Sequence, residues 1–289
     1  MTVHQFIRVS RPPTLMATVV PLAVGGATAF MHPAAFSLWG WLDILFIAFL
    51  LQIGANMLNE YFDYRRGLDD IHSMGIGGII VSGEVSAPSV LRTAIATYAI
   101  AFVLGILLVI YRGPILLFMG LGGIIAGFLY TGGPWPISST PFGEVFVALI
   151  MGPLEVLATQ VAADGFITTT AWVVSWPVGI SVATILLANN LRDRVKDAQH
   201  HRRTLPIVFG WKAGYWILWS MVLSIFIWVS AAVFLKYLPV TALLTWLALP
   251  LAVVSLKKLY NPQNLKLAVP ITGRLHMVTG ILLSLGLLL

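Results

Sequence analysis

The sequence predicts an all-α, polytopic membrane protein with nine transmembrane helices, and three observations carry that reading. Of the 289 residues, 58% are hydrophobic and only 10% are charged, and the mean hydropathy is +0.91, far from the composition of a soluble domain. The apolar residues fall into runs of about 20, the length that crosses a bilayer. The lysines and arginines gather in short connections on one side of those runs, as they do where loop charge sets orientation.

The runs lie near 13–31, 39–59, 91–111, 114–131, 143–163, 169–190, 212–235, 239–257 and 267–288. The first contains Pro13 and Pro21 and is not followed by a polar region with a small-residue cleavage site, so it reads as a span and not as a cleaved signal. With the N-terminus in the cytoplasm, that side collects fourteen lysines and arginines, while Arg112 and Lys236 lie opposite and Arg274 sits near the start of the last span. The expectation is an integral protein of the cell's inner or plasma membrane, N-terminus cytoplasmic. The net charge of +6 is then a matter of orientation, and no nucleic-acid partner is implied. The chain has no cysteine, which excludes disulfides, thiolate metal sites and iron–sulfur clusters.

Two connections are long, 60–90 and 191–211, and each carries an acid-rich stretch. The first reads NMLNEYFDYRRGLDD from Asn56 to Asp70. On a helix Asn56, Asn59 and Asp63 fall at i, i+3 and i+7 and share one face. The second, ANNLRDRVKDAQ, puts Asn189, Asp193 and Asp197 at i, i+4 and i+8, again on one face. Four spans separate the two stretches, so they share an orientation. This predicts a single domain over 1–289 made of two parallel four-helix halves, about 1–142 and 143–260, with a last helix at about 267–288. The glycine-rich GIGGIIVSGEVSAP segment disfavours continuous helix and is expected to cap the site.

Glu60, Asp63, Asp69, Asp70, Asp193 and Asp197 are six of the eleven acids. Brought together at one mouth of a low-dielectric bundle, they require a cation. An all-oxygen set without His or Cys favours a hard ion, and Mg2+ typically bridges carboxylates to substrate phosphates. Arg192, Arg194, Lys196, Arg202 and Arg203 flank the second stretch and are suited to phosphate oxygens. A diphosphate on an isoprenoid tail needs such a polar head site above an apolar tunnel. Tyr61, Phe62, Tyr130 or Trp135 would shield, through their ring faces, the allylic cation that remains when the diphosphate departs.

These residues resemble the UbiA superfamily of intramembrane aromatic prenyltransferases, whose members carry aspartate-rich stretches after spans two and six. The likeness covers nearly the whole chain and rests on SRPPTL at Arg11, NEYFDYRRGLD at Asn59 to Asp69, YTGGPWPI from Tyr130, Gly143–Glu144, and NNLRDRVKD followed by RRTLP. Within the superfamily it is most similar to the branch that prenylates 1,4-dihydroxy-2-naphthoate in menaquinone biosynthesis. The resemblance implies a nine-helix bundle, with Asn59, Asp63, Asp69, Asp193 and Asp197 holding Mg2+ and diphosphate, the four aspartates being the catalytic set. It further implies that Arg11, Arg66, Tyr130, Asn189, Arg192, Lys196, Arg202 and Arg203 bind the diphosphate. The partners would be an isoprenyl diphosphate and an aromatic acceptor whose carboxylate leaves as carbon dioxide, giving demethylmenaquinone. The sequence departs from the family pattern at Glu60, where Asp is usual, at His72 and Gly75 after Asp69, and at His201–Arg202, where the family has Gly-Lys. The absence of lysine from YTGGPWPI favours the naphthoate branch over the hydroxybenzoate one.

Glu155 lies inside the fifth span, where a carboxylate is costly and usually functional, and with Tyr61 it is assigned to the acceptor pocket. Asp43 reads as a solvated interface residue, Arg65 as an orientation charge, and the glycines at 25, 26, 120, 122 and 123 as close helix contacts. Two other readings stay open. The same chemistry would serve hydroxybenzoate, homogentisate, a chlorin, haem or a glycerol-phosphate lipid. A cation-coupled transporter would also place carboxylates in a bundle, but with inverted repeats and acids at the midplane.

Overall fold

The computed structural model describes residues 1–68 and 78–289, which form helices and turns with no strand among them. A reciprocal cap, Thr2 accepting from the Gln5 amide and Gln5 Oε1 from the Thr2 amide, starts α1 (Val3–Ser10). Arg11 then turns the chain in a left-handed conformation, φ 51° and ψ 63°, which an L-residue adopts at a cost. Pro12 and Pro13, whose missing N–H groups fall where a helix has no use for them, open α2 (Pro12–Phe30).

The other spans are α3 (Leu38–Arg65), α4 (Ala87–Arg112), α5 (Ile115–Thr131), α6 (Gly143–Asp164), α7 (Thr169–Gln199), α8 (Trp211–Phe234), α9 (Val240–Leu259) and α10 (Ala268–Leu288). Among the described residues eight helices are long and apolar enough to cross a membrane and α5 is a shorter ninth, in agreement with the nine expected runs. The protein is an integral membrane protein. In α6 the backbone widens into a π turn at Ile150–Leu154 around Pro153, which has no N–H to give.

Two helices run past their apolar runs. At 1.5 Å per residue, the 28 residues of α3 and 31 of α7 reach about 42 and 46 Å, against an apolar core of about 30 Å. The excess is at the C-terminal ends, where both acid-rich stretches sit. The long 191–211 connection is thus mostly helix, and only 200–210 remains, with one short turn of helix at Leu205–Val208.

Because lipid is as apolar as leucine, association between spans depends on close packing. α2 packs against α3, α6, α7 and α10, while α7 also meets α8, and α9 bridges α8 and α10. Two approaches are very close, α3 on α6, where a Cβ on Gly40 would run into the Ala162 carbonyl oxygen, and α6 on α7, where one on Gly152 would stand 2.6 Å from the Ser175 carbonyl oxygen. Gly25 and Gly26 of α2 are close contacts as expected, against Thr159 and Trp41. Gly120, Gly122 and Gly123 of α5 are not: a Cβ on Gly120 meets nothing within 4 Å, one on Gly122 only Leu154 at 3.9 Å and one on Gly123 only Leu51 at 3.9 Å. They face open space.

Candidate functional site

The end of α3 is held by α2, α5 and the loop after residue 77. Asn56 is buried and donates to the Ser10 carbonyl and Thr14 Oγ1, both at 2.8 Å. It fastens the α1–α2 joint, and the expected three-residue ligand face reduces to Asn59 and Asp63. The Asn59 amide, oriented so that both its ends are satisfied, accepts from Arg11 Nη1 at 3.0 Å and donates to Asp63 Oδ2 at 3.2 Å and Thr131 Oγ1 at 3.0 Å. Glu60 turns the other way. Its carboxylate, 1% exposed, pairs with Arg11 Nη2 at 2.8 Å and accepts from the Gly78 and Ile80 amides at 2.7 and 3.4 Å. Glu60 therefore has its own cation and leaves the set of acids awaiting one.

Arg66, just past α3, donates to the carbonyls of Thr131 and Gly133 at 2.5 and 3.2 Å and lies over the Phe62 ring. Burial pulls its guanidinium below the ordinary value, Asp63 opposes that shift, and Arg202 adds to it, so charges from both halves of the chain act on one side chain. Arginine stays protonated throughout.

The end of α7 is a second set. Arg192 clamps Asp193 through Nε and Nη2 at 2.7 and 2.6 Å and reaches Asn189 Oδ1 at 2.8 Å, the fork geometry that suits a carboxylate. Asp197 is buried. Its Oδ1 accepts from Arg202 Nη1 at 3.1 Å, whereas Oδ2 has no hydrogen-bond partner among the described residues. Arg202 also donates to the Ser138 carbonyl at 2.8 Å. Arg203 is exposed, and its side chain makes no hydrogen bond or ion pair among the described residues.

Tyr130 joins the two sets. It stacks on Phe146 with ring centroids 6.3 Å apart, and the charges of Arg202, Glu144, Asp63 and Asp197 all act on it. Asp63 and Asp197 therefore open on the same mouth, 134 positions apart in sequence. Asp69 lies outside the described residues, as do Asp70, His72 and Gly75. Among the described residues no three His, Cys, Asp or Glu side chains group as a ready-made metal site; the oxygens on hand are one amide and three carboxylates divided between α3 and α7.

Beneath this mouth an apolar cavity of about 170 Å3 is walled by α3, α4, α5 and α6. Along α3 it runs from Ala55, one turn before Asn59, down to Ile44. The α5 glycines at 120 and 123 form part of its wall and make room instead of closing a helix contact, whereas Gly127, also in the wall, closes on the Tyr98 hydroxyl. Glu155 and Gln52 are polar groups in that wall, and the Glu155 carboxyl has no hydrogen bond or ion pair among the described residues. Tyr61 does not line the cavity. It packs with Phe6, Met57 and Ile79 under Arg65, whose Nη1 donates to its hydroxyl at 3.3 Å, because its position on α3 faces α1 and α4. Trp135 does not line it either, and its indole is 87% exposed.

Residues 18–274 match the UbiA prenyltransferase family. The chain belongs to the UbiA prenyltransferase family. As a UbiA prenyltransferase it has full-length relatives. It is 35% identical over 285 residues to the 1,4-dihydroxy-2-naphthoate octaprenyltransferase of Bacillus subtilis, with 98% of this chain and 91% of the relative covered. It is also 35% identical over 217 residues to the enzyme of the same name from Mycobacterium tuberculosis, covering 71% of this chain and 70% of that one. A UbiA homologue from Archaeoglobus fulgidus, solved with DMAPP and Mg2+, shares the UbiA fold with a TM-score of 0.65 at 15% identity, over 97% of this chain and 99% of the other.

Two contacts of this UbiA site escaped the sequence reading. Glu60 with Arg11 is a pair 49 positions apart, and Asn190 donates to Glu144 at 2.8 Å, fixing the start of α6 to α7. The Gly143–Glu144 motif was the available signal for the second. Nothing in the local pattern marked the first.

Proposed function

We propose that this prenyltransferase moves a prenyl group from an isoprenyl diphosphate to 1,4-dihydroxy-2-naphthoate. The observation that carries the reading is a polar mouth, fed by Asp63 and Asp197, at the head of an apolar cavity. The acceptor is taken from the name of the Bacillus subtilis relative, which matches 98% of this chain. In the reaction the allylic C–O bond breaks and its electron pair leaves with the diphosphate. A bond forms from the ring carbon that carries the carboxylate, and the C–COO bond then gives its pair back to the ring as carbon dioxide departs, leaving the hydroquinone form of demethylmenaquinone.

The chain's own groups fit magnesium. The donors are oxygens only, and Asp197 Oδ2 is a buried carboxylate oxygen without a partner among the described residues. Asn59, Asp63, Asp193 and Asp197, with Asp69, would hold the ion, which when bound would neutralise the diphosphate and ease its departure. Arg11, Arg66, Tyr130, Asn189, Arg192, Lys196 and Arg202 would orient the diphosphate, whereas Arg203, exposed and without an ion pair among the described residues, stands apart from them. Arg192 must exchange Asp193 for phosphate oxygens as substrate arrives. Asn59 keeps Asp63 aimed at the mouth through its 3.2 Å bond, and Glu155, in the cavity wall, would meet the acceptor or the tail end nearest to it. The two halves of the chain would be parallel repeats that each contribute one acid-bearing helix end.

A labelled prenyl diphosphate offered to a panel of aromatic acids tests the reaction. Product and an equal amount of carbon dioxide are expected from dihydroxynaphthoate in the presence of Mg2+. Product from hydroxybenzoate alone would contradict the assignment.

The cavity should hold the tail. Gly123→Leu places a side chain in open space and is expected to raise KM for a long prenyl diphosphate roughly tenfold or more, the scale of a buried isoprene unit left in water. KM for dimethylallyl diphosphate should stay at the wild-type value, and equal effects on both would place the tail elsewhere.

The mouth would face the cytoplasm, by the fourteen-to-two division of basic residues. Because the chain has no cysteine, single exposed cysteines can report sidedness. Ala34→Cys, between α2 and α3, should react with an impermeant thiol reagent in intact cells, and Gln263→Cys, between α9 and α10, only after permeabilisation. The reverse pattern would invert the topology.

A further inference from the structure

Beside the aspartate mouth, and sharing Arg66 and Arg202 with it, lies a cleft of about 740 Å3, formed by the turn between α5 and α6 and the turn after α7. Its ionisable lining among the described residues is entirely basic: Arg66, His200, His201, Arg202 and Arg203. Among the described residues no aspartate lines it, although Arg202 reaches out of it to pair with Asp197. Arg66 gives its hydrogen bonds to backbone carbonyls, which do not cancel its charge. Arg203 makes no ion pair among the described residues. Between these cations stand flat apolar surfaces, Trp135 and Phe142 with exposures of 87% and 69%, and the neighbouring prolines.

We propose that this cleft is the docking site of the aromatic acceptor's carboxylate on its way to the mouth. The inference rests on the acceptor class argued above. A hydrated diphosphate would use the cations but gain nothing from an indole and a phenyl face. An aromatic acid uses both, with the carboxylate on Arg203 and the rings on Trp135. The cleft is also of a size that takes a bicyclic molecule. The chemistry gives the arrangement a direction. The acceptor is a water-soluble anion held by cations at the aqueous face, and the product has lost the carboxylate and gained a lipid tail, so nothing in the cleft retains it.

Binding to the full chain in detergent, without prenyl diphosphate, tests the cleft. The probes are 2-naphthoate, which carries the carboxylate but no ring hydroxyl, and 2-naphthol, which lacks the carboxylate, both measured by equilibrium dialysis. Wild type should bind 2-naphthoate about tenfold more tightly than 2-naphthol, the scale of one charge-assisted contact. Arg203→Gln should abolish that preference, and Trp135→Ala should weaken both probes by a similar factor. Both side chains are exposed, so folding is not at stake, and an unchanged melting midpoint confirms it. Equal binding of the two probes, or variants that bind as wild type does, would overturn the proposal and leave Trp135 as a membrane-interface anchor. Displacement of 2-naphthoate by inorganic pyrophosphate would equally overturn it by assigning the cleft to the leaving group. Product formation from dihydroxynaphthoate tests the reaction, and naphthoate binding tests the cleft, so either can fail while the other stands.

Discussion

Asp63→Ala is expected to lower the rate of diphosphate release by about a thousandfold or more, and Asp193→Ala to do the same from the other half of the chain. The size follows from what each carboxylate is asked to do. Removing one preorganised group that faces charge developing in the transition state typically costs two to three powers of ten, and here loss of a ligand would also weaken the ion that neutralises the leaving group. Neither change should unfold the protein. Asp193 is partly exposed at the end of a 31-residue helix, and Asp63 lies near the last turn of α3. Release measured in detergent with and without Mg2+ checks this, with thermal melting as the control. Wild-type release in either variant would remove that residue from the site.

The second large effect is on stability. Glu60 and Arg11 form a buried ion pair whose carboxylate also caps two amides of the 78–80 turn. Glu60→Ala leaves the Arg11 guanidinium, only 16% exposed, without its carboxylate, and removing one partner of a buried pair typically costs about 3–5 kcal/mol. For a chain of this size the thermal midpoint should fall by roughly 10 °C. Replacing both residues, Arg11→Met with Glu60→Leu, should recover much of the loss because no unpaired charge remains. Melting curves of the two single variants and the double variant decide it. A double variant as unstable as the sum of the singles would mean that the pair contributes through its hydrogen bonds to the backbone and not through its charge.

The membrane spans were legible because a bilayer imposes length and polarity on a sequence with few alternatives, and the nine runs lie where the structure has its apolar helices. Their ends were not. Charged residues mark the edge of the apolar run, yet the backbone of α3 and α7 continues in helix for several residues beyond it, since a helix needs no lipid once it is nucleated. The acids of the second stretch are consequently on rigid helix and not on a loop.

Side-chain direction was legible where one helical period settled it and illegible where a distant partner did. Asn59 with Asp63, and Asn189 with Asp193, follow from spacing on one face. Asn56 shares that spacing and is claimed by Ser10 and Thr14; Glu60 is claimed by Arg11. Trp135 reads as a cavity wall from its neighbours in sequence, but the turn that holds it points away from the cavity and leaves the ring in the open. Glycine in a span is ambiguous for the same reason: Gly152 admits a neighbouring helix, Gly123 admits empty space, and only the packing partner distinguishes them.

The central claim is that the ends of α3 and α7 act as one site. Binding of an unreactive prenyl thiodiphosphate in the presence of Mg2+ tests it most directly, for Asp63→Asn, Asp197→Asn and the two together. A shared site predicts that each single change weakens Mg2+-dependent binding by a similar factor and that the double variant loses little more, because groups that act as a unit are far from additive. Full additivity, or a Mg2+ dependence that survives one substitution untouched, would contradict it.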